Sequence, residues 1–377
     1  MELPRRPRIL LLIPHLGGGG AERVTAHLAC GLSKEKYDLH LATVTQSHSG
    51  LPALPAHVVL HPLGARRVRS GAMPILRLVR SIRPSLVLSG MVHLNFLVLL
   101  LRPFFPRHTR VLVRQNSSAS AALEFGGLPS YTRIFYRLLY RRADRVICQT
   151  PAMAADLHEA FGIPSAKLAI LPNPVDVEGT LSRVTDHGAA PSPNDGDPGP
   201  RLLVVGRLSK EKGFDLLLEA LAVVRQSLSS TTLVIAGAGP EESALKSQSL
   251  SLGLESAVRF AGNIADPVTC FADAALFVLS SRYEGLPNAL LEAAAAGLPI
   301  VSVPSSQGVV DLLCGQPGVW LANEISAPAL ADSLLAALRS LRPAERFAHR
   351  FIEPFRLERV IGAYEKLIDS ALSGESR

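Results

Sequence analysis

Two glutamates eight positions apart, Glu284 and Glu292, bracket the start of an alanine-rich segment in RYEGLPNALLEAAAAGLP, residues 282–299. A carboxylate can accept from two vicinal hydroxyls at once, each charge-assisted hydrogen bond being worth about 1.5–3 kcal/mol. Between the two acids the sequence predicts a helix start. Gly285 permits a turn, and Pro287 suits the first helical position because its missing N–H would have lacked a partner there. The amides of Asn288 and Ala289 then fall among the unpaired donors at the positive end of the helix dipole, which makes an anion site. Glu292 follows Asn288 by one turn on the same face, and Glu284 comes from the loop ahead, so the carboxylates are expected on opposite sides of that site. A ligand with two polyols and phosphate between them fits this arrangement; an ordinary capped surface helix is the competing reading. Residues 293–296, all alanine, let the helix approach its sheet, and Gly297 with Pro299 ends it.

Cations recur at a second turn. VVGRLSKEKGFDLLLEAL delivers Arg207 and Lys212 on a short loop between a strand and a helix, where they would neutralise a diphosphate before and during its departure. A third segment, PHLGGGGAERV, puts four glycines between the first strand and the first helix, so backbone amides can come close to a phosphate or sugar. It is not a dinucleotide fingerprint: counted from Gly17, the third glycine position holds Glu22, and the second strand ends at Gln46 rather than in an acid. No P-loop Gly-Lys-Ser/Thr follows. Asp195 and Asp197 mimic a metal-binding pair but lie in a Pro/Gly-rich stretch, where solvated side chains are expected. The 11 histidines lack metal-ligand spacing. His15, beside the glycines, and His93, at a strand end, are read as structural, and Trp320 as core or domain edge. Cys30, Cys148, Cys270 and Cys314 are far apart and read as reduced thiols of a cytosolic protein.

These constellations need strands to carry them. RILLLIP, LHLATVT, LVLSGM, RVLVRQ, RVICQT and LAILPN precede residue 175, and RLLVVGRL, TTLVIAGAG, VRFAG, ALFVLSS and PIVSVP follow residue 200. Apolar runs without alternation, separated by helices, mean parallel strands covered on both faces. The predicted fold class is α/β, with two doubly wound Rossmann-like domains facing a cleft and ligands beyond the carboxyl ends of the strands. The 377 residues divide into an N-terminal domain over residues 1–184, a linker over 185–200, a C-terminal domain over 201–350 and a terminal amphipathic helix within 351–377.

Charge is unevenly spread. The net +7 resolves into +12 for residues 1–190 and −5 for the remainder, so the two halves face different partners. The N-terminal arginines sit beside apolar residues in ARRVRSGAMPILRLVRSIRP and YTRIFYRLLYRRADRV, which suits either an anionic membrane surface or a solvated basic helix face. Nucleic acid is not expected, since no binding motif accompanies the charge. Residues 9–13 are too short an apolar run for a signal peptide and read as the first buried strand. The most apolar window, from Leu86, is interrupted by Ser89, Gly90, His93 and Asn95 and reads as strand, turn and helix rather than a membrane span.

Together, GGAERV, ILPNPVD, VGRLSKEKGFDLLLEA, IAGAGPEESAL and SSRYEGLPNALLEAAAAGLPIVS resemble the retaining, nucleotide-sugar-dependent glycosyltransferases of the GT-B fold, family 4, or glycosyl transferases group 1, which include bacterial hexosamine and mannose transferases. The resemblance spans nearly the whole chain. It implies that Glu284 contacts donor-sugar hydroxyls near the reacting carbon and Glu292 the ribose. Arg207 and Lys212 would hold the diphosphate, helped by the amides of Gly285, Leu286, Asn288 and Ala289. Gly19 and Gly20 would approach the phosphate from the N-terminal, acceptor-binding domain, and the backbone at Asn263 and Ile264 would edge the base. The terminal helix would cross back onto the N-terminal domain. No metal or other cofactor is implied, the nucleotide sugar being a co-substrate. There are two departures. Many relatives carry a histidine after the strand that here reads RVLVRQ; this chain offers Gln115 and Asn116, which gives Asn116 a hydrogen-bonding role in catalysis. SQGVVDLL has Asp311 where glutamate is common, close to Gly308, which bears on the choice of sugar.

The expected function is transfer of a hexose or N-acetylhexosamine from a UDP-sugar to a glycan or polyprenyl-linked acceptor in cell-surface polysaccharide or lipopolysaccharide biosynthesis. Attack would come from the front face, with retention. The expected location is the cytoplasm, with peripheral contact at the anionic inner face of the membrane. A nucleotide-sugar 2-epimerase and a non-catalytic nucleotide-sugar-binding scaffold are the alternatives.

Overall fold

The computed structural model describes residues 6–17, 19–45, 54–125, 129, 131–187, 199–264 and 266–374. Most of the linker expected at 185–200, with Asp195 and Asp197, lies outside the described residues. The chain divides into two compact units, one of residues 1–174 with 357–377 and one of residues 175–356.

Unit 1 is built on seven parallel strands: β1 (Arg8–Ile13), β2 (Asp38–Thr45), β3 (Val59–Ala65), β4 (Leu86–Gly90), β5 (Arg110–Arg114), β6 (Arg145–Cys148) and β7 (Leu168–Ile170). Their order is β3-β2-β1-β4-β5-β6-β7. Unit 2 has six: β8 (Arg201–Val205), β9 (Thr232–Ala236), β10 (Val258–Gly262), β11 (Leu276–Leu279), β12 (Ile300–Ser302) and β13 (Val319–Leu321), in the order β10-β9-β8-β11-β12-β13. Each order reverses once, between β1 and β4 and between β8 and β11. Loops on either side of such a reversal leave for opposite faces of the sheet, which opens a crevice at the carboxyl ends.

The central strands are apolar for the reason read from the sequence. Residues 9–13 of β1 are buried throughout, because the sheet is covered on both sides. β3 and β13 were not recognised in the sequence. β3 pairs with β2 alone, carries Pro62 and Gly64, and leaves Val59 and Leu60 exposed, as an edge strand can. β13 has three partly buried residues paired with β12.

The unit boundaries differ from the sequence expectation. The helix Val177–His187 belongs to unit 2 rather than to an N-terminal domain reaching residue 184, because Val175 and Val177 are buried in the same cluster as Phe271, Leu290 and Phe355. Residues 351–356 also belong to unit 2, and Val175 N–H donates to the Phe355 carbonyl at 2.7 Å.

The basic segment at 131–146 has a use the sequence did not suggest. Arg133, Arg137 and Arg141 follow one another at intervals of four. Arg133 and Arg137 donate to the Ala160 carbonyl at 3.2 and 3.4 Å, and Arg141 to that of Gly162 at 3.0 Å. They satisfy carbonyls at the C-terminal end of the helix Pro151–Phe161, where the dipole favours cations.

The terminal helix, Leu357–Ser373, packs on the helix Gly20–Gly31 within unit 1. Its Tyr364 is fully buried and accepts from Arg114 Nε at 3.2 Å. Replacing Tyr364 by phenylalanine leaves that buried donor without its acceptor, at a cost of about 1–3 kcal/mol. Tyr364→Ala also opens a void and is expected to cost about 3–5 kcal/mol. Urea unfolding should show both losses as lower midpoints, with alanine the larger.

Candidate active site

In unit 2 the site forms where β8 and β11 run side by side. β8 ends at Val205, and the chain continues through Gly206 and Arg207 to a 3-10 turn, Lys210–Lys212, before the helix Phe214–Ser227. β11 ends at Leu279, and Ser280, Ser281, Arg282 and Glu284 follow. Ser280 Oγ donates to the Lys212 carbonyl at 2.9 Å, and Arg282 N–H to the Glu211 carbonyl at 2.7 Å. Lys212 Nζ meets Glu284 Oε1 at 2.5 Å, and Ser281 Oγ donates to the same oxygen at 2.7 Å. The side chains of Lys212 and Glu284 are 25% and 11% exposed, so each charge is largely removed from water and needs the other.

Arg282 and Asp215 close the same seam with a fork of two hydrogen bonds, at 2.7 and 2.6 Å. Burial pushes the Asp215 carboxyl up, but the hydrogen bonds and charge of Arg282 outweigh it and hold the carboxyl below its usual range. The sequence reading gave neither residue a role. Gly213 makes the close approach possible: its φ is 63°, and a Cβ there would lie 2.1 Å from the Ser280 carbonyl oxygen.

Arg207 is exposed, and its guanidinium has no hydrogen-bond or ion-pair partner among the described residues. Its loop is held by β9: Gly206 N–H donates to Ala236 at 3.0 Å and Leu208 N–H to Ala238 at 3.1 Å. Gly237, with φ 147°, lets the strands meet there, since a Cβ would sit 1.8 Å from the Gly206 carbonyl.

The helix after Glu284 begins one residue later than the sequence suggests. It spans Asn288–Ala295, and Pro287 is its N-cap with extended backbone, φ −73° and ψ 119°. The Pro287 carbonyl accepts from Leu291 N–H at 3.3 Å, which is the cap's role. Asn288 and Ala289 therefore open the helix, where their N–H groups have no carbonyl within it to bond. Gly285 and Leu286 are buried just before, and Glu292 is half-buried one turn on from Asn288. Residues 293–296 are buried against Phe277, Leu279 and Ile300 of the sheet, as the alanine run implies. Asn263, exposed, and Ile264, partly buried, follow β10 two strands away from β8. Asp311 is exposed on a helix and accepts from Gln307 at 2.6 Å.

Unit 1 has its own cluster at the carboxyl ends of its strands. Gly19 caps the helix Gly20–Gly31, and the carboxylate of buried Glu22 folds back to this helix start: a Cβ at Gly19 would lie 2.5 Å from Glu22 Oε2. Glu22 Oε1 is 3.4 Å from His15 Nδ1. Burial, with the charge of His15 next, holds the His93 imidazole below its ordinary value. The glycine turn thus carries a carboxylate of its own, a feature for which the sequence offered only the count from Gly17 to Glu22.

Gln115 and Asn116 part company. Gln115 is fully buried and accepts from Tyr140 Oη at 2.6 Å while donating to the Ser117 carbonyl at 2.8 Å, which makes it a core residue. Asn116 is half-buried. Its carbonyl accepts from Arg114, and its Nδ2 is buried without a hydrogen-bond partner among the described residues. Arg114 itself is buried and donates to Asn116, Asn173 and Tyr364, three neutral oxygens. Sequence reasoning missed it; the available signal was a cation ending an otherwise apolar strand.

The model described as Glycosyl transferases group 1 matches residues 191–353, and that described as Glycosyltransferase Family 4 matches residues 18–178. The lipopolysaccharide core biosynthesis glycosyltransferase LpsE of Rhizobium meliloti is 30% identical over 243 residues, 63% of this chain and 67% of that protein. The chain belongs to the group 1 glycosyl transferases. A Campylobacter jejuni N-acetylgalactosamine-N,N'-diacetylbacillosaminyl-diphospho-undecaprenol 4-alpha-N-acetylgalactosaminyltransferase is 27% identical over 311 residues, 80% of the transferase described here and 82% of its relative. Among solved structures, Anabaena HepE in complex with UDP and glucose superposes with a TM-score of 0.79 at 17% identity, covering 97% of this transferase and 100% of HepE. Sucrose-phosphate synthase from Thermosynechococcus elongatus gives 0.81 at 17% identity, covering 98% and 100%. The transferase accordingly has the GT-B fold expected from its sequence.

Gly213→Ala is expected to lower unfolding stability by about 2 kcal/mol or more, because it combines left-handed strain with a clash against Ser280. Urea unfolding measures it. The Arg282–Asp215 fork, partly exposed, should contribute under about 1 kcal/mol. Because the folded Asp215 value is depressed, that contribution is present above the unfolded value near ~3.9 and disappears as pH falls through the lower folded one. Comparing Asp215→Asn with the parent at pH 7 and pH 3 should show the difference shrink.

Proposed function

We propose that the transferase moves a hexose or N-acetylhexosamine from a UDP-sugar to a glycan or polyprenyl-linked acceptor, with retention and without a metal, in the assembly of a cell-surface polysaccharide or lipopolysaccharide. The observation that carries this reading is the contact between Lys212 and Glu284. In a nucleotide sugar the hexose is joined directly to the diphosphate. A carboxylate for sugar hydroxyls and an ammonium for phosphate must then be neighbours in one site, as these two are. Arg207, exposed and without a partner among the described residues, adds a second cation. The start of the helix Asn288–Ala295 adds oriented amides, and Glu292 a carboxylate for the ribose.

In this mechanism the acceptor hydroxyl attacks the anomeric carbon from the side of the departing diphosphate. The carbon–oxygen bond to the β-phosphate breaks as the new glycosidic bond forms. The acceptor's proton passes to the leaving phosphate oxygen, and Arg207 and Lys212 stabilise the charge. Lys212 is held ready in the unliganded protein by Glu284, which exchanges that partner for sugar hydroxyls when the donor binds. Asn116 Nδ2, buried and without a hydrogen-bond partner among the described residues, is the donor this reading assigns to unit 1.

The names of relatives support the acceptor class: LpsE acts in lipopolysaccharide core biosynthesis, and the Campylobacter enzyme's name specifies a diphospho-undecaprenol substrate. The donor nucleotide is supported by HepE, solved with UDP and glucose. Among the described residues no helix is long and apolar enough to cross a membrane. Contact with a lipid-linked acceptor is assigned to unit 1 because its sequence carries the arginine-rich segments with interleaved apolar residues.

A thermal-shift panel of UDP-, GDP- and ADP-sugars should give its largest rise with a UDP-sugar. Glu284→Gln and Lys212→Ala should each lower kcat on the order of 100-fold. Turnover should persist in chelator, and proton NMR of the product should show the donor's anomeric configuration. Epimerised donor in the absence of acceptor, or binding without turnover across an acceptor panel, would refute the transfer reaction proposed here.

A further inference from the structure

A separate group of cations lies at the opposite edge of the unit 1 sheet, where the strands begin. A cavity of about 580 Å³ is bounded by Arg102, Arg107, Arg141, Arg142 and Lys167, with Phe105 among its apolar walls. This size suits a small ligand. Its walls are the turns that lead into β5, β6 and β7. One is Arg102–Phe104, which closes the helix Val92–Leu101; another is Tyr140–Arg142, which closes the helix Thr132–Leu139; the third is Ser165–Lys167. Because the strands are parallel, these beginnings lie at the far end of the sheet from Gly19 and Asn116.

Structural duties occupy part of this charge. Arg102 pairs with Asp144 at 2.8 Å, Arg141 serves the Gly162 carbonyl, and Lys167 Nζ donates to the carbonyls of Arg141 and Ala143 at 2.5 and 2.8 Å. Asp144 is already shared with Arg110 at 3.6 Å. Arg107 and Arg142 have no hydrogen-bond or ion-pair partner among the described residues. Burial, reinforced by the charges of Arg102 and Arg145 against the opposing pull of Asp144, holds the Lys167 ammonium below its usual range. An anion in the cavity would relieve that field, and guanidinium forks match phosphate oxygens.

Exposed apolar residues lie on two of the elements that wall the cavity. Leu100 and Phe104 are more than half exposed, one just before and one within the turn that begins at Arg102. Ile134 and Leu138 are more than half exposed on the helix that runs into Arg141 and Arg142. The two helices are packed neighbours through Phe96 and Phe135, whose rings are 5.7 Å apart. A soluble anion gains nothing from exposed leucine and phenylalanine, whereas a phospholipid offers a phosphate and apolar chains together.

We propose that this cavity binds the phosphate of an anionic phospholipid headgroup, with Arg107 and Arg142 as its free guanidinium donors and Leu100, Phe104, Ile134 and Leu138 resting against the bilayer. This rests on the reading that the transferase meets a lipid-linked acceptor. It goes further in naming which edge of unit 1 touches the membrane and which lipid it selects.

The test is flotation of the full chain with vesicles of phosphatidylcholine alone and with added phosphatidylglycerol, for the parent and for the double variant Arg107→Ala/Arg142→Ala. The parent is expected to float with phosphatidylglycerol vesicles and not with phosphatidylcholine. The double variant should float on the order of tenfold less, with an unchanged melting temperature and an unchanged thermal shift by UDP. Leu138→Ser and Phe104→Ser should also reduce flotation. If the double variant floats like the parent, the headgroup site is refuted while the membrane reading stands. If the parent floats with neither vesicle, both are refuted. If inorganic phosphate raises the parent's melting temperature, the double variant loses that rise and no vesicle is bound, the cavity serves a free phosphate and the lipid assignment is overturned.

Discussion

The pairing of β8 with β11 governs unit 2. Leu276 lies opposite Leu202 and Phe277 opposite Leu203, although some seventy residues separate the strands in the chain. Both run the same way, so the loops that follow them emerge side by side at one end of the sheet. One loop brings Lys212 and the other Glu284. Neither charge tolerates its burial alone, and their contact gives each a partner while leaving both at the mouth of the crevice. The pair therefore contributes less to stability than to keeping two opposite charges poised in fixed positions.

The rigidity of that arrangement comes from consecutive residues. Ser280, Ser281 and Arg282 each bond to the β8 loop or to Glu284, and the fork to Asp215 anchors the seam to the first turn of the following helix. These bonds fix the backbone from which Lys212 and Glu284 project. The other loop of the site is tied to β9, so Arg207 projects from a supported backbone even though its side chain is exposed. Unit 1 uses a comparable principle with different chemistry: buried Arg114 has no carboxylate partner among the described residues and is held by three neutral oxygens, one of them on the candidate residue Asn116.

Arginine illustrates how one residue type divides among tasks. In the helix Thr132–Leu139 and the turn after it, three arginines at intervals of four serve carbonyls at another helix's end, while Arg142, the next in the chain, has no hydrogen-bond or ion-pair partner among the described residues. Sequence shows a basic, amphipathic segment in either case. Which cations remain for a partner depends on which carbonyls lie within reach, and those come from residues about twenty positions away.

Much of the architecture was legible in the sequence because parallel strands buried on both faces must be written as continuous apolar runs, and helices between them as amphipathic ones. The eleven strands read in this way are present. β3 escaped because an edge strand has one neighbour and one exposed side, and β13 because three residues hold too little pattern. Pro287 lies one residue outside the helix that its residue type predicts, since its fixed φ suits an extended cap as well as a first helical turn and ψ is set by the chain around it. The residue types at the candidate site, Arg207, Lys212, Glu284 and Glu292, were likewise evident from local spacing. By itself the sequence determined the two parallel-sheet units and the inventory of charges on each loop, because both follow from local pattern. Tertiary structure alone decided that Lys212 meets Glu284, that Asp215 grips Arg282, that Gln115 is core, and that Glu22 turns back to its own helix start. Those contacts join residues whose proximity depends on strand order and on the face to which each loop turns.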